Sequence, residues 1–209
     1  MFTLGCGIAY GHYVWKGTQT VDFSKAPTPT ENAPVTSFSL EEAPSDSVRG
    51  TIKSLSGNVW WESRTATQPA RLAKQTILQQ GEKLIASDDG RLTVEFTSFS
   101  AISLSPESEV EIIQTLPTSM VFNQLKGDVH YSTSGAEPIS IRSLNMIATL
   151  VNGTMDIGVN RNSGDVVLDL QNGTATVAYN SPSFVSKVWD LSAGDTFEYN
   201  SNERKGYFK

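Results

Sequence analysis

At residues 147–159 the chain reads Ile147-Ala148-Thr149-Leu150-Val151-Asn152-Gly153-Thr154-Met155-Asp156-Ile157-Gly158-Val159, a unit that recurs along the sequence. After residue 153 every second residue is apolar, which is the pattern of a half-exposed β-strand. The Asn-Gly pair in the middle is typical of two-residue hairpin turns, because both residue types adopt positive φ at low cost. We therefore predict two strands joined by a tight turn.

Glycine turns of this kind recur on both sides of that stretch. An apolar residue, a turn with glycine and an apolar strand also follow one another at residues 55–61, 125–131 and 170–179. A second pattern, Leu-x-x-Gly-acid-x-apolar, begins at residues 78 and 191 and marks the entry into a strand. The spacing is uneven, so we interpret the units as related hairpins and not as a solenoid. The turn positions predicted in this way are Gly57, Gly81, Gly127, Asn152, Gly153, Asn172, Gly173 and Gly194.

Almost every segment between residues 48 and 200 has the period of two that predicts strands. We predict a single all-β domain of short antiparallel strands and hairpins, built as a β-sandwich, a flattened barrel or a stacked β-roll. A helical turn is expected only within residues 69–80. The predicted strands cover residues 48–55, 58–62, 90–96, 101–104, 109–114, 119–125, 128–132, 139–143, 147–159 as a hairpin, 165–170 and 174–179. The expected core residues are Ile52, Val59, Leu84, Leu92, Val94, Phe96, Ile102, Leu104, Val110, Ile112, Phe122, Leu125, Val129, Ile141, Leu150, Met155, Ile157, Val166, Leu168, Val177 and Phe197.

The two ends of the chain differ in composition from this domain. Residues 1–16 are apolar, but this run of about fourteen residues is shorter than the roughly 20 that span a bilayer. We expect it to be the end of a transmembrane anchor, with aromatic residues at the interface. Residues 17–47 are rich in Pro, Thr, Ser and acids and bury too little apolar surface to fold, so a disordered linker is predicted. Residues 201–209 are expected to form a polar tail after the domain at 48–200.

A series of short motifs runs in order through the domain. It comprises Gly50-Thr51-Ile52, Gly57-x-Val59, Gly81-Glu82-x-Leu84-Ile85-x-Ser87, Arg91-Leu92-x-Val94-x-Phe96, Ile102-x-Leu104-x-Pro106-x-Ser108-x-Val110-x-Ile112, Leu125-x-x-Gly127-x-Val129, Pro138-Ile139-x-Ile141 and Gly153-Thr154-x-x-Ile157. The series resembles the FecR-type domain, an extracytoplasmic all-β domain of bacterial envelope and signalling proteins. The resemblance implies protein–protein interaction in envelope sensing. In full-length members the domain follows a cytoplasmic anti-sigma segment and a transmembrane helix, and relays a signal from an outer-membrane transporter.

The sequence offers few residues for catalysis or metal binding. His12 and His130 are the only histidines and Cys6 is the only cysteine, whereas common His and Cys metal sites use three or four such ligands. The chain has neither a Gly-x-Ser-x-Gly nucleophile elbow nor a glycine-rich phosphate loop. The acidic residues that alternate at 107–111 are interpreted as a solvated strand face. We therefore predict no catalytic residue, no metal and no cofactor.

Binding to a partner is the remaining class of function. A net charge of −6 with no basic cluster before Arg204 disfavours nucleic acid. Adjacent strand residues face opposite ways, so one ring of Trp60 and Trp61 is expected in the core and the other outside, where it could contact a partner. We predict a non-enzymatic, membrane-anchored domain, periplasmic or at the cell surface, that binds an envelope protein or acts as a surface scaffold. The alternative is a carbohydrate-binding or carbohydrate-active envelope protein that uses Asp and Glu residues.

Overall fold

The computed structural model describes residues 46–97, 100–135 and 137–209; the predicted anchor and almost all of the predicted linker lie outside the described residues. Within these ranges all regular elements are strands, and no helix is long and apolar enough to cross a membrane. The strands are β1 Gly50–Ser56, β2 Val59–Glu62, β3 Ala70–Arg71, β4 Ile77–Leu78, β5 Lys83–Ala86, β6 Arg91–Thr97, β7 Ser100–Leu104, β8 Glu109–Leu116, β9 Ser119–Thr133, β10 Ile139–Ser143, β11 Met146–Asn160, β12 Asp165–Asn180, β13 Ser186–Ser192, β14 Thr196–Asn200 and β15 Lys205–Phe208.

The strands form one mixed sheet, so the all-β prediction is confirmed. Strand β10 runs parallel to β9, and the other strand pairs are antiparallel. The three longest strands change neighbours halfway along: the first half of β9 pairs with β8 and β10, and its second half with β7 and β11. Strands β11 and β12 do the same. The sheet therefore folds over into two facing layers.

The layers share only these three strands. Layer A consists of β15, β14, the first half of β12, the second halves of β11 and β9, and then β7, β6, β1 and β4. Layer B consists of β13, the second half of β12, the first half of β11, β10, the first half of β9, and then β8, β5, β2 and β3. Of the three architectures expected from the sequence, this arrangement is closest to a sandwich.

The Asn-Gly pairs lie at bends inside strands, so the prediction of hairpin turns at these pairs is wrong. Asn152-Gly153 lies within β11 and Asn172-Gly173 within the neighbouring β12, where the register shifts. A Cβ atom built on Gly153 would overlap the carbonyl oxygen of Asn172, and one on Gly173 would lie 2.6 Å from the Cα of Gly153. The two backbones thus approach too closely for any residue but glycine. Gly127, with a φ of 80°, lies at the equivalent bend of β9.

The buried positions change parity at each bend. In β11 the buried residues are even-numbered before the bend and odd-numbered after it, namely Met146, Ala148, Leu150, Met155, Ile157 and Val159. Strands β9 and β12 change from even to odd in the same way. In a regular strand, even-numbered and odd-numbered residues point to opposite faces, so the apolar residues after the bend would point away from the core. The register irregularity at the bends therefore keeps apolar side chains between the layers in both halves of each strand.

The core lies between the two layers. The ring of Phe96 in layer A lies 5.3 Å from that of Phe122 in layer B. The expected core residues are buried except Leu125, which is only half-buried, so this part of the prediction is wrong. Gln124 takes the inward position instead, because its side-chain amide can bond backbone groups at the bend.

Two further differences concern short elements. Residues 69–80 contain the strands β3 and β4 where a helical turn was expected, because their backbone groups pair with β2 and β1. The sheet also continues into the predicted tail: β15 pairs with β14, and Phe208 packs edge-on against Phe197. Partial burial of the Phe208 ring favours a strand at the end of residues 201–209, although the first residues of this segment are polar.

Candidate functional site

The outer side of layer B carries an exposed tryptophan. Trp60 on β2 is 40% exposed, and its cross-strand neighbours are Arg71 on β3 and Ile85 on β5. Ile85 in turn lies opposite Glu109 on β8. Side chains at directly opposed positions share one face of a sheet, so these four form a single row. We call this row, Arg71, Trp60, Ile85 and Glu109, the Trp60 surface.

A charged row borders the Trp60 surface. The ammonium group of Lys83 lies 2.9 Å from a carboxylate oxygen of Glu62 and 3.5 Å from one of Glu109. The hydrogen bond to Glu62 is the main reason why the pKa of Lys83 is raised. Glu111, opposite Lys83, accepts a hydrogen bond of 3.0 Å from the side-chain amide of Asn123. An apolar centre with a polar rim is the usual anatomy of a protein–protein interface.

The second tryptophan of the pair faces inwards, as the strand alternation predicts. Trp61 is half-buried and packs against the core. Beside it lies Glu82, which is 5% exposed and accepts a hydrogen bond of 2.8 Å from the backbone amide of Gln79. Burial raises the pKa of Glu82, while the Gln79 amide, Trp61 and Arg64 act in the opposite direction. In the described part of the chain, none of the groups that shift this pKa is a second carboxyl.

The outer side of layer A is polar. His130 on β9 lies on this face, with its Nδ1 atom 2.7 Å from a carboxylate oxygen of Asp156 on β11. The other oxygen of Asp156 accepts a hydrogen bond from Gln171. Farther along, the hydroxyl of Thr196 donates to Asp169 at 2.6 Å. These side chains are hydrogen-bonded in pairs on a solvated surface.

The structure does not bring the predicted turn positions together at one place. Gly57, Gly81 and Gly194 lie in connections between strands and have φ values of 65°, 84° and 94°. The other five lie at the bends of β9, β11 and β12. Among residues 46–97, 100–135 and 137–209, no group of three or more His, Cys, Asp or Glu side chains is arranged to hold a metal ion.

The sequence alone does not place Arg71 and Ile85 beside Trp60. Ile85 belongs to one of the motifs quoted above, and its alternation with Leu84 could have assigned it to the outer face. Arg71 gave no such signal, because β3 consists of two residues and lies within the region interpreted as a helical turn.

Comparison with known proteins gives structural neighbours but no family. No family model matches the sequence, and no curated protein matches it. Two crystal structures of a "putative anti-sigma factor" from Parabacteroides distasonis, at 2.50 and 1.65 Å resolution, are similar to this chain with TM-scores of 0.52 and identities of 10% and 9%. The similarity covers 61% of this chain and 58% of those chains, which is less than two thirds of their length. At this identity the likeness shows a shared fold.

Proposed function

We propose that this protein is a non-enzymatic interaction module of a regulatory system in the bacterial envelope, and that it contacts a protein partner through the Trp60 surface. The observation that carries the proposal is the exposed indole of Trp60, held between Arg71 and Ile85 on the outer face of the sheet. Tryptophan and arginine are the residue types most enriched at the centres of protein interfaces. An indole fixed on a strand loses little conformational entropy on binding.

Two further observations support the regulatory part of the proposal. The fold is shared with a protein described as an anti-sigma factor, and the ordered motifs of the sequence resemble those of FecR-type domains. We also propose that the domain lies outside the cytoplasm and is tethered to the membrane by residues 1–16. This part of the proposal rests on the apolar composition of that segment.

The test is capture of a partner from detergent-solubilised envelope of the source organism, with the full 209-residue chain as bait. The bait is compared with its Trp60→Ala variant and with Ile77→Ala as a matched control. Ile77 is 52% exposed but lies on β4, at the far edge of layer A. All three baits are first shown to have the same thermal unfolding midpoint.

We expect one defined protein to be captured by the wild type and by Ile77→Ala, and to be lost with Trp60→Ala. Equal capture by all three baits would mean that the Trp60 surface is not the contact. Retention of a glycan instead of a protein, dependent on Trp60, would replace the proposal with saccharide binding, since exposed aromatic rings serve that function as well.

A further inference from the structure

Three turns at one end of the molecule border an open pocket of about 310 Å³. It is lined by the β10–β11 turn with Leu144, the β12–β13 turn with Phe184, and the β14–β15 turn with Arg204. Arg142 of β10 and Ile147 of β11 lie opposite each other at its side. We call this site the turn pocket; its volume suits one apolar side chain and its polar neighbours.

The backbone is strained around the turn pocket. Five non-glycine residues have positive φ in the described part of the chain, and three of them line this pocket: Leu144 at 54°, Phe184 at 59° and Arg204 at 52°. Bulky residues rarely adopt this conformation, and such strain concentrates at ligand-binding sites. Phe184 is in addition 77% exposed, so burial in the core does not explain its position.

Exposed apolar residues continue from the pocket to the edge of layer B. Ile147 on β11 is 46% exposed, and Val188 on the edge strand β13 is 62% exposed. Ala178 of β12 lies directly between them in the sheet. Val185, beside Phe184, is 54% exposed. A contiguous apolar surface of this kind on a soluble domain marks an interaction site.

The turn pocket carries two arginines, Arg142 and Arg204. In the described part of the chain, no carboxylate lies within 4 Å of the guanidinium of Arg142 or of Arg204. The cross-strand neighbours of Arg142 are Asn123 and Ile147, neither of which is acidic. The guanidinium of Arg204 instead lies 5.2 Å from the ring centre of Phe184. Two such arginines in a chain with a net charge of −6 form a local positive site.

We propose that the turn pocket binds an acidic peptide segment that carries an apolar side chain next to its carboxylates. The apolar side chain would occupy the space between Phe184, Leu144 and Ile147, and the carboxylates would accept hydrogen bonds from Arg142 and Arg204. The site is separate from the Trp60 surface, and the proposal goes beyond the function proposed above because it names the chemistry of a second ligand.

A peptide fits these residues better than an anionic membrane does. The apolar positions flank a concave pocket, which can receive a single side chain. A lipid surface would have to approach a chain with six net negative charges, and only two arginines line the pocket to attract it.

The experiment is a fluorescence anisotropy titration of the full chain against labelled ten-residue peptides. The probe carries Phe-Glu-Asp-Leu between Gly and Ser residues; one control peptide carries Phe-Gln-Asn-Leu and the other Ala-Glu-Asp-Ala. We expect the probe to bind with a Kd below about 1 mM, and each control peptide to bind about tenfold more weakly.

Two variants locate the binding site. Phe184→Asn removes the ring but suits the positive φ, so the variant is expected to fold and to bind the probe about tenfold more weakly. Arg142→Gln should weaken binding by about the same factor. Arg71→Gln, an exposed arginine on the Trp60 surface, is the matched control and should leave the Kd unchanged.

Several outcomes would overturn the proposal. These are no saturable binding of the probe, equal binding of the neutral peptide, an unchanged Kd in Phe184→Asn, or binding to phosphatidylglycerol vesicles without binding to the probe. None of them bears on capture of a partner through Trp60, so the two proposals fail independently.

Discussion

Replacement of Gln124 by leucine should strongly destabilise the protein, because this fully buried side chain joins the two layers at the bend of β9. Its amide nitrogen donates hydrogen bonds of 2.7 Å to the carbonyl oxygens of Gly127 and Ile157. Its amide oxygen accepts one of 3.1 Å from the hydroxyl of Tyr131, which is also fully buried. Burial raises the pKa of Tyr131, so this hydroxyl remains a donor at any ordinary pH.

The expected loss follows from these three bonds. Each of the three buried groups left without its partner costs about 1–2 kcal/mol, and burial of the apolar leucine side chain offsets about 1 kcal/mol. Gln124→Leu should therefore lower the free energy of unfolding by about 2–5 kcal/mol. Tyr131→Phe removes only one bond and should cost about 1 kcal/mol. The double variant should lose less than the sum of the two, because the Tyr131–Gln124 bond is then counted once.

The assay is urea denaturation of the full chain, followed by tryptophan fluorescence, for the wild type, the two single variants and the double variant. The free energy of unfolding and its denaturant slope are compared at one pH. A loss below about 1 kcal/mol in Gln124→Leu would refute the view that this amide holds the bend. So would strictly additive losses in the double variant.

Three other predictions concern stability. Gly153→Ala should lower the free energy of unfolding by about 2–3 kcal/mol, because its Cβ overlaps the Asn172 backbone; an unchanged urea midpoint would contradict the close approach. Trp61→Ala should cost about 2–3 kcal/mol and Trp60→Ala less than about 1 kcal/mol in the same assay, with the reverse order arguing against the assigned faces. Burial raises the pKa of Glu82 above 4.5, so the folded state binds its proton more tightly than the unfolded state. The free energy of unfolding of the wild type, relative to that of Glu82→Gln, should therefore be highest below about pH 4 and should fall as the pH rises to 7. Equal pH profiles of the two proteins would contradict this.

Alternation of apolar residues was sufficient to predict most of the core and the strands between residues 90 and 179, but the short strands β3 and β4 and the last three strands, β13 to β15, were not among the predicted ones. It placed Ile112, Phe122 and Ile157 in the core, because each lies in a run where every second residue is apolar, as in a strand with one buried face. It assigned Leu125 to the core for the same reason. Nothing in the sequence indicates that the side-chain amide of Gln124 would be buried with its hydrogen bonds made inside the protein.

The long strands could not be read from local patterns. Asn-Gly suits a type I′ turn as well as a bend, and the choice depends on whether another backbone passes close by. In this protein Asn152-Gly153 and Asn172-Gly173 lie against each other across two strands, which is a contact between distant residues. The same limit explains why the turn pocket was not foreseen: Leu144, Phe184 and Arg204 come from three turns that only the folded sheet brings together.

The most direct test of the proposed function is site-specific photocrosslinking in cells. Benzoylphenylalanine replaces Ile85, which lies beside Trp60, or Ile77 as the control on β4. We expect ultraviolet light to link the chain to one defined envelope protein from position 85 and not from position 77, and we expect Trp60→Ala to abolish the product. Crosslinks of equal yield from both positions, or none from position 85 in cells that contain the folded protein, would contradict the proposed function.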